Sequence, residues 1–113
     1  MPFGWYSSTS MTNERLEALQ TMVAADPANS FTRYGLAMEF VKAGQLENAV
    51  AEFGKLLEFN PNYAAAYFHG GQALEKLGQI DRARALYTKG IEVTGATGDL
   101  HTRSELQAAL DIL

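Results

Sequence analysis

The sequence predicts an all-α protein built from antiparallel helix-turn-helix repeats, and three observations predict this class. The chain matches itself when it is shifted by 34 residues, the separation of Pro27 and Pro61. Each matching unit carries two segments whose apolar residues recur at the three- and four-residue spacing of an amphipathic helix. Gly and Pro, which end helices, fall at the same places in both units. We therefore expect two repeats of two helices, flanked by one further helix on each side.

The self-match needs no insertion between its first and last paired residues. Identical residues pair as follows: Pro27 with Pro61, Lys42 with Lys76, Gly44 with Gly78, Gln45 with Gln79, Ala49 with Ala83, Ala51 with Ala85, Lys55 with Lys89 and Glu58 with Glu92. Similar residues also pair, such as Tyr34 with Phe68 and Phe53 with Tyr87. A match that keeps one register and the same Pro and Gly positions is typical of repeat proteins.

In the first unit, Asn29 and Ser30 are good N-caps, and the helix they open is predicted to stop at Gly44. The second helix is predicted over 46–59 and ends at Asn60, since the residue before a proline avoids helical angles. The second unit repeats this pattern. Asn62 is its predicted cap, the first helix runs to Leu77 and Gly78 stops it, and a second helix follows from Ile80.

The flanks are predicted to be the ends of this stack. Residues 12–25 form a capping helix that starts at Thr12 or Asn13, with an inward stripe of Leu16, Leu19, Met22 and Val23. Residues 99–113 form a C-terminal capping helix that carries Leu106, Leu110 and Leu113. Residues 1–11, rich in Gly, Pro, Ser and Thr, are predicted to be a flexible N-terminal arm. The rest, 12–113, is then one domain with repeat 1 at 26–60 and repeat 2 at 61–95.

The two units resemble the tetratricopeptide repeat, which has a 34-residue period and a Trp, Leu-Gly, Tyr, Ala, Phe, Pro pattern. The matching residues are Leu36, Ala37, Phe40, Ala49, Phe53 and Pro61 in the first unit, and Tyr67, Gly71, Leu74, Ala83 and Tyr87 in the second. The departures are Arg33 for the aromatic residue, Gly70 for the leucine and Gly95 for the proline. The resemblance covers Asp26 to about Thr94. It implies a short right-handed superhelical solenoid whose first helices line a concave, protein-binding surface.

Composition limits the function classes. The formal charge of −4, spread along the chain without basic blocks, disfavours nucleic-acid binding. The chain lacks Cys, a secretory signal and an apolar run long enough to span a bilayer, which fits a cytoplasmic protein and excludes membrane insertion. With two His residues, no HExxH motif and no G-x-S-x-G motif, we expect no enzyme, no metal and no cofactor.

The stretch "FHGGQ" looks like a loop, but the repeat register places it inside a helix. A helical Gly costs about 0.5–1 kcal/mol relative to Ala, so Gly70 and Gly71 need a reason. Gly71 stands where the repeat pattern wants a small residue for close helix packing. Gly70 is expected to make room for a bulky neighbour from the first unit. His69 is either an ordinary packed or solvated histidine, or a residue of the binding groove.

The candidate partner-binding residues lie on the concave face that the resemblance implies: Tyr34, Met38, Val41, Lys42, Phe68, His69 and Gln72. Aromatic, Met and His side chains on one strip suit a short amphipathic or extended peptide. Core packing is the alternative for Phe31 and Met38. Some family members bind a partner's C-terminal carboxylate through Lys, Asn and Arg, but the matching positions here hold Tyr34, Met38, Ala65 and His69.

Two other functions remain open at this point. The N-terminal arm, with Phe3, Trp5 and Tyr6, or the edge helices could pack against a second copy and form a homo-oligomer. A nonbinding accessory domain of a larger pathway enzyme is the weaker alternative.

Overall fold

A computed structural model describes the backbone of residues 3–113 and the side chains of residues 13–113. Within that part of the chain it contains six α-helices: α1 (Phe3–Ala25), α2 (Ser30–Lys42), α3 (Leu46–Phe59), α4 (Ala64–Lys76), α5 (Ile80–Thr97) and α6 (Leu100–Asp111). Each helix packs on the helices before and after it in the chain. The all-α class and the helix-turn-helix repeats predicted from the sequence are confirmed.

The helices form two layers, with α2, α4 and α6 in the first and α1, α3 and α5 in the second. The helices of the first layer approach one another more closely than those of the second. In the first layer α4 contacts both α2 and α6, whereas no contacts join α1, α3 and α5 to one another among the described residues. When neighbouring helices are more closely spaced in one layer than in the other, the stack curves toward the layer with the smaller spacing. The first helices of the units therefore line the inner side of the curve.

Backbone geometry at the two predicted stops explains the sharp turns between helices. Gly44 and Gly78 have φ of 77° and 76°, the left-handed region that suits glycine. The amide of Gln45 donates to the carbonyl of Phe40 at 2.9 Å, and the amide of Gln79 donates to the carbonyl of Leu74 at the same distance. These are the hydrogen bonds of a Schellman motif, which closes α2 and α4 in the same way.

The residue in the fourth position of each unit's first helix ties that helix to the proline that opens the unit. Arg33 donates from Nη2 to the carbonyl of Pro27 at 3.0 Å, and Tyr67 donates from its hydroxyl to the carbonyl of Pro61 at 2.7 Å. Arg33 is buried and also pairs with Glu52 on α3 at 2.7 Å. Arginine in place of the motif's aromatic residue thus keeps the same anchor and adds an ion pair.

The core consists of two clusters that follow the two units. The first is centred on Leu36, Phe40, Phe53 and Leu56, with Leu16 and Val23 of α1 packed on it. The second is centred on Tyr67, Leu74, Tyr87 and Leu106. Tyr87 is fully buried, and its hydroxyl donates a short hydrogen bond to the Glu75 carboxylate. Burial and, after it, this bond raise the pKa of Tyr87 above its usual range.

The first helix differs from its prediction in its start and in one inward residue. α1 begins at Phe3 and not at residue 12, and no proline lies within it to interrupt the helix. Residues 1 and 2 and the side chains of 1–12 lie outside the described part, so the mobility predicted for 1–11 stays a prediction. Met22 was predicted to face inward, but it is 52% exposed.

The end of α5 also differs. The second unit was predicted to end at Gly95, whereas α5 continues to Thr97 and stops at Gly98, which has φ of 82°. Proline ends α3, but Gly95 replaces it here and leaves the backbone free to stay helical. Asp99 then caps α6 by accepting a hydrogen bond from the amide of Thr102 at 3.1 Å.

The two predicted asparagine caps have different outcomes. Asn29 caps α2, because its side chain accepts from the amide of Thr32 at 3.1 Å. Asn62 does not cap α4, since Tyr63 occupies the N-cap position and makes no side-chain cap bond. We expect Asn29→Ala to lower the free energy of unfolding by about 1 kcal/mol, and the matched variant Asn62→Ala to change it by less than about 0.5 kcal/mol. Urea denaturation of both variants measures the difference, and equal losses would contradict the assignment.

Candidate functional site

Aromatic rings from α2 and α4 meet on the inner layer. The ring of Tyr34 lies 6.0 Å from that of His69, and Phe68 packs edge-on against His69 at 5.2 Å between ring centroids. All three side chains are half-buried. The repeat brings them together because Tyr34 and Phe68 occupy the same position in successive units, and His69 follows directly. We call Tyr34, Phe68 and His69 the aromatic cluster.

Tyr63 extends this cluster and was missed by sequence reasoning. Its ring lies 5.3 Å from Tyr34, closer than the buried Phe53 at 6.3 Å. The equivalent position in the first unit is Asn29, so the 34-residue comparison gives no sign of an aromatic residue here. Its place beside the Asn60-Pro61 turn was the only available signal.

The other four predicted site residues do not join the aromatic cluster. Met38 and Val41 are half-buried and pack against the first core cluster, while Lys42 and Gln72 are exposed. Gln72 lines a shallow hollow of about 260 Å³ between α4 and α6, together with Glu75, Lys76, Ala109 and Ile112. Core packing, the alternative for Met38, agrees with its contacts. The same alternative is wrong for Phe31, which is 78% exposed.

The glycines after His69 make room for neighbouring helices. A Cβ at Gly71 would overlap the Tyr87 ring, with ring carbons at 2.6 Å, so no side chain fits there. A Cβ at Gly70 would lie 2.9 Å from Leu86 and 3.4 Å from Phe53. Phe53 belongs to the first unit, so the expected bulky neighbour of Gly70 is confirmed. Close packing of α4 on α3 and α5 therefore fixes the place of His69 on the inner layer.

The titration of His69 is shifted in favour of the neutral imidazole. Burial lowers its pKa below the ordinary 6.5, and the carboxylate of Glu105 on α6 opposes the shift. Glu105 is a second residue that sequence reasoning missed. The link before α6 is two residues longer than the repeat register predicts. With this shift, Glu105 occupies the register position of His69. A neutral imidazole can both donate and accept a hydrogen bond, which suits contact with a peptide backbone.

This lowered pKa predicts an acid-sensitive stability. The unfolded chain binds the His69 proton more readily, so the stability from neutral His69 is complete above about pH 6.5 and is lost as pH falls through the folded pKa. We expect the urea midpoint of the wild type to fall between pH 7.5 and 5 by more than that of His69→Gln. A His101→Gln variant isolates the contribution of the other histidine. Equal falls in wild type and His69→Gln would contradict the prediction.

Two further searches cover the part of the protein that the structure describes, one for metal sites and one for membrane-spanning helices. Among the residues described, no three His, Cys, Asp or Glu side chains are grouped to hold a metal ion. Over the same residues, no helix is both long and apolar enough to cross a membrane.

Comparisons with known proteins agree with this architecture. A family model described as a TPR repeat matches residues 38–78, and a second, described as a tetratricopeptide repeat, matches residues 64–97. A TPR repeat-containing protein from Pseudomonas aeruginosa is 27% identical over 95 residues, which cover 84% of this chain and 90% of the relative.

Solved structures give the same result. A tetratricopeptide repeat domain protein from Salinibacter ruber superposes with a TM-score of 0.71 at 41% identity, over 75% of this chain and 86% of that one. The TPR2B domain of yeast Sti1, solved as a complex with pHsp70, has a TM-score of 0.81 at 17% identity, over 93% of this chain and 84% of that one. TPR domains are generally protein-protein interaction modules and typically non-catalytic scaffolds. The chain belongs to the tetratricopeptide repeat family.

Proposed function

We propose that this protein is a non-catalytic adaptor whose inner layer binds a peptide or helical segment of a partner protein. The observation that carries the proposal is the aromatic cluster, in which half-buried rings from two repeats meet on the concave side. Half-buried aromatic side chains retain apolar surface that a partner can cover, and residues of this kind dominate the affinity of many interfaces.

The proposed site comprises Tyr34, Met38, Val41, Lys42, Phe68, His69 and Gln72. The contact with Tyr34 adds Tyr63 to it, and Phe31 is added because it is an exposed aromatic residue on α2. Tyr34, Phe68 and His69 supply the apolar centre. Lys42 and Gln72 are exposed and supply a polar rim. An apolar centre inside a polar rim is the usual anatomy of a protein interface.

The yeast TPR2B domain supports the general mode of binding but not the ligand. That domain was solved in complex with pHsp70, but at 17% identity it is similar to this chain in its fold alone. The positions from which some family members grip a terminal carboxylate hold Tyr34, Met38, Ala65 and His69 in this chain. We therefore propose an internal segment with apolar side chains as the ligand, recognised by burial rather than by its C-terminal charge.

A selection experiment tests this proposal. Peptides are selected from a random phage-displayed library on the immobilised protein, and a synthetic copy of the best one is titrated by fluorescence anisotropy. We expect His69→Ala to weaken binding at least about tenfold, as for an interface hot spot. Gln72→Arg, at an exposed position that leaves the fold intact, should also weaken binding by filling the hollow between α4 and α6.

Lys89→Ala is the matched control, because Lys89 is exposed on α5, in the outer layer. Its affinity should equal that of the wild type. Failure to select any peptide, or equal affinity of the wild type and both inner-layer variants, would overturn the proposal.

A further inference from the structure

The outward face of α6 is a helix-packing surface that no described helix covers. The fourth and eighth residues of α2 and of α4 are buried against the helix that follows: Arg33 and Ala37, and Tyr67 and Gly71. The equivalent residues of α6 are Arg103 and Gln107, and both are exposed. They lie on one side of the helix with Leu100, Ser104, Ala108 and Asp111, which together form one open helix face.

We propose that this α6 face pairs with the same face of a second copy of the chain, antiparallel about a two-fold axis near Gln107. Arg103 lies four residues before Gln107 and Asp111 four residues after it. Each charge is then about 6 Å from the axis along the helix, on opposite sides. In the antiparallel pair, Arg103 faces Asp111 of the second copy and Asp111 faces its Arg103. The face is thus complementary to itself, as an isologous interface requires.

The helix dipole supports this orientation. Arg103 lies in the first turn of α6 and Asp111 in the last. On its own helix each charge is at the unfavourable end, since N-termini favour anions and C-termini favour cations. An antiparallel partner reverses this, because it brings its carboxyl end to Arg103 and its amino end to Asp111. Among the residues described, neither Arg103 nor Asp111 forms an ion pair within the chain.

Packing on the α6 face also suits a second helix. Ser104 and Ala108 are small and lie beside the proposed axis, which permits close approach of two helices. Leu100 is 65% exposed, and an antiparallel pairing brings it to the last turn of the second copy. One helix face per copy makes a small interface, so we expect weak, concentration-dependent dimers.

A head-to-tail stack of α6 on α1 is the other arrangement that repeats suggest, and Arg15 disfavours it. Arg15 occupies the register position of Ala49 and Ala83, which are fully buried where the two helices of a unit meet. The Arg15 side chain is 57% exposed and contacts Glu39 at 3.8 Å. A helix docked there would meet this charge in place of the small residue that close packing needs.

Charge reversal tests the proposal by a pattern specific to this geometry. Sedimentation equilibrium of the full chain, up to about 1 mM, should show wild-type dimers. Arg103→Glu alone sets Glu against Asp, and Asp111→Arg alone sets Arg against Arg, so each should weaken self-association at least about tenfold. An equimolar mixture of these two variants restores both opposite-charge pairs and should form heterodimers. The double variant should again form homodimers.

Arg82→Glu and Glu58→Arg are the matched controls, because each makes the same charge change at an exposed position away from α6. Both should dimerise like the wild type. Circular dichroism confirms that each variant is folded. A wild type that stays monomeric throughout, single variants that associate like the wild type, or a mixture that forms no heterodimer would overturn the proposal. Binding of the selected peptide is measured separately, so the two proposals fail independently.

Discussion

Gly71→Leu should lower the free energy of unfolding by about 3 kcal/mol, and Gly71→Ala by about 1–2 kcal/mol. The reason is that any Cβ at this position overlaps the ring of the fully buried Tyr87. The ring cannot retreat without breaking its hydrogen bond to Glu75. The alanine variant is the sharper test, because alanine is the better helix former by about 1 kcal/mol and would otherwise stabilise α4.

Gly54→Ala is the matched control for this prediction. Gly54 lies within α3, and a Cβ there would meet nothing within 4 Å. We expect this variant to gain up to about 1 kcal/mol. Guanidinium denaturation gives both values from the shift of the midpoint at constant slope. If Gly71→Ala were as stable as Gly54→Ala, close packing of α4 on α5 would not explain the glycine at position 71.

Arg33→Ala should lower the free energy of unfolding by about 3–5 kcal/mol, the usual effect of removing one partner of a buried ion pair. The change removes the bond to Glu52, the bond to the Pro27 carbonyl and the stacking of the guanidinium on Phe59 at 5.5 Å. Glu52 would be left largely buried. Lys55→Ala is the control, because Lys55 pairs with the same Glu52 from an exposed position and should contribute less than about 0.5 kcal/mol.

A double variant separates the charge from the packing. Arg33→Met with Glu52→Leu removes both charges together and leaves no buried charge unpaired, so we expect it to be more stable than Arg33→Met alone. Thermal or urea denaturation of the single and the double variant gives the comparison. If the single and double variants were equally unstable, packing rather than the ion pair would account for the loss.

Most of the fold could be predicted from the sequence because it depends on short-range signals. Gly44, Gly78 and Pro61 each act on their own backbone, and the 34-residue register then relates them. α3 runs from Leu46 to Phe59 as predicted. The predicted helix ends were wrong where these Gly and Pro signals are missing. Gly95 replaces a proline and let α5 continue, and the Ser- and Thr-rich start of the chain did not prevent the longer α1.

The candidate site was harder to predict, because contacts between units depend on distances that no single segment encodes. The register indicated that Tyr34 and Phe68 share one face, but not that Tyr63 lies against Tyr34. It also gave no sign that Arg33, at an aromatic position, would pair with Glu52 inside the fold. Both contacts join residues from different helices or turns, and only the assembled structure brings them together.

The most direct test of the central claim is a titration of ¹⁵N-labelled protein with the selected peptide, followed by amide chemical shifts. We expect the largest changes on α2 and α4 around Tyr34, Phe68 and His69, with α3 and α5 little affected. Largest changes on the outer layer, or saturable binding that leaves the aromatic cluster unshifted, would contradict the inner layer as the binding surface.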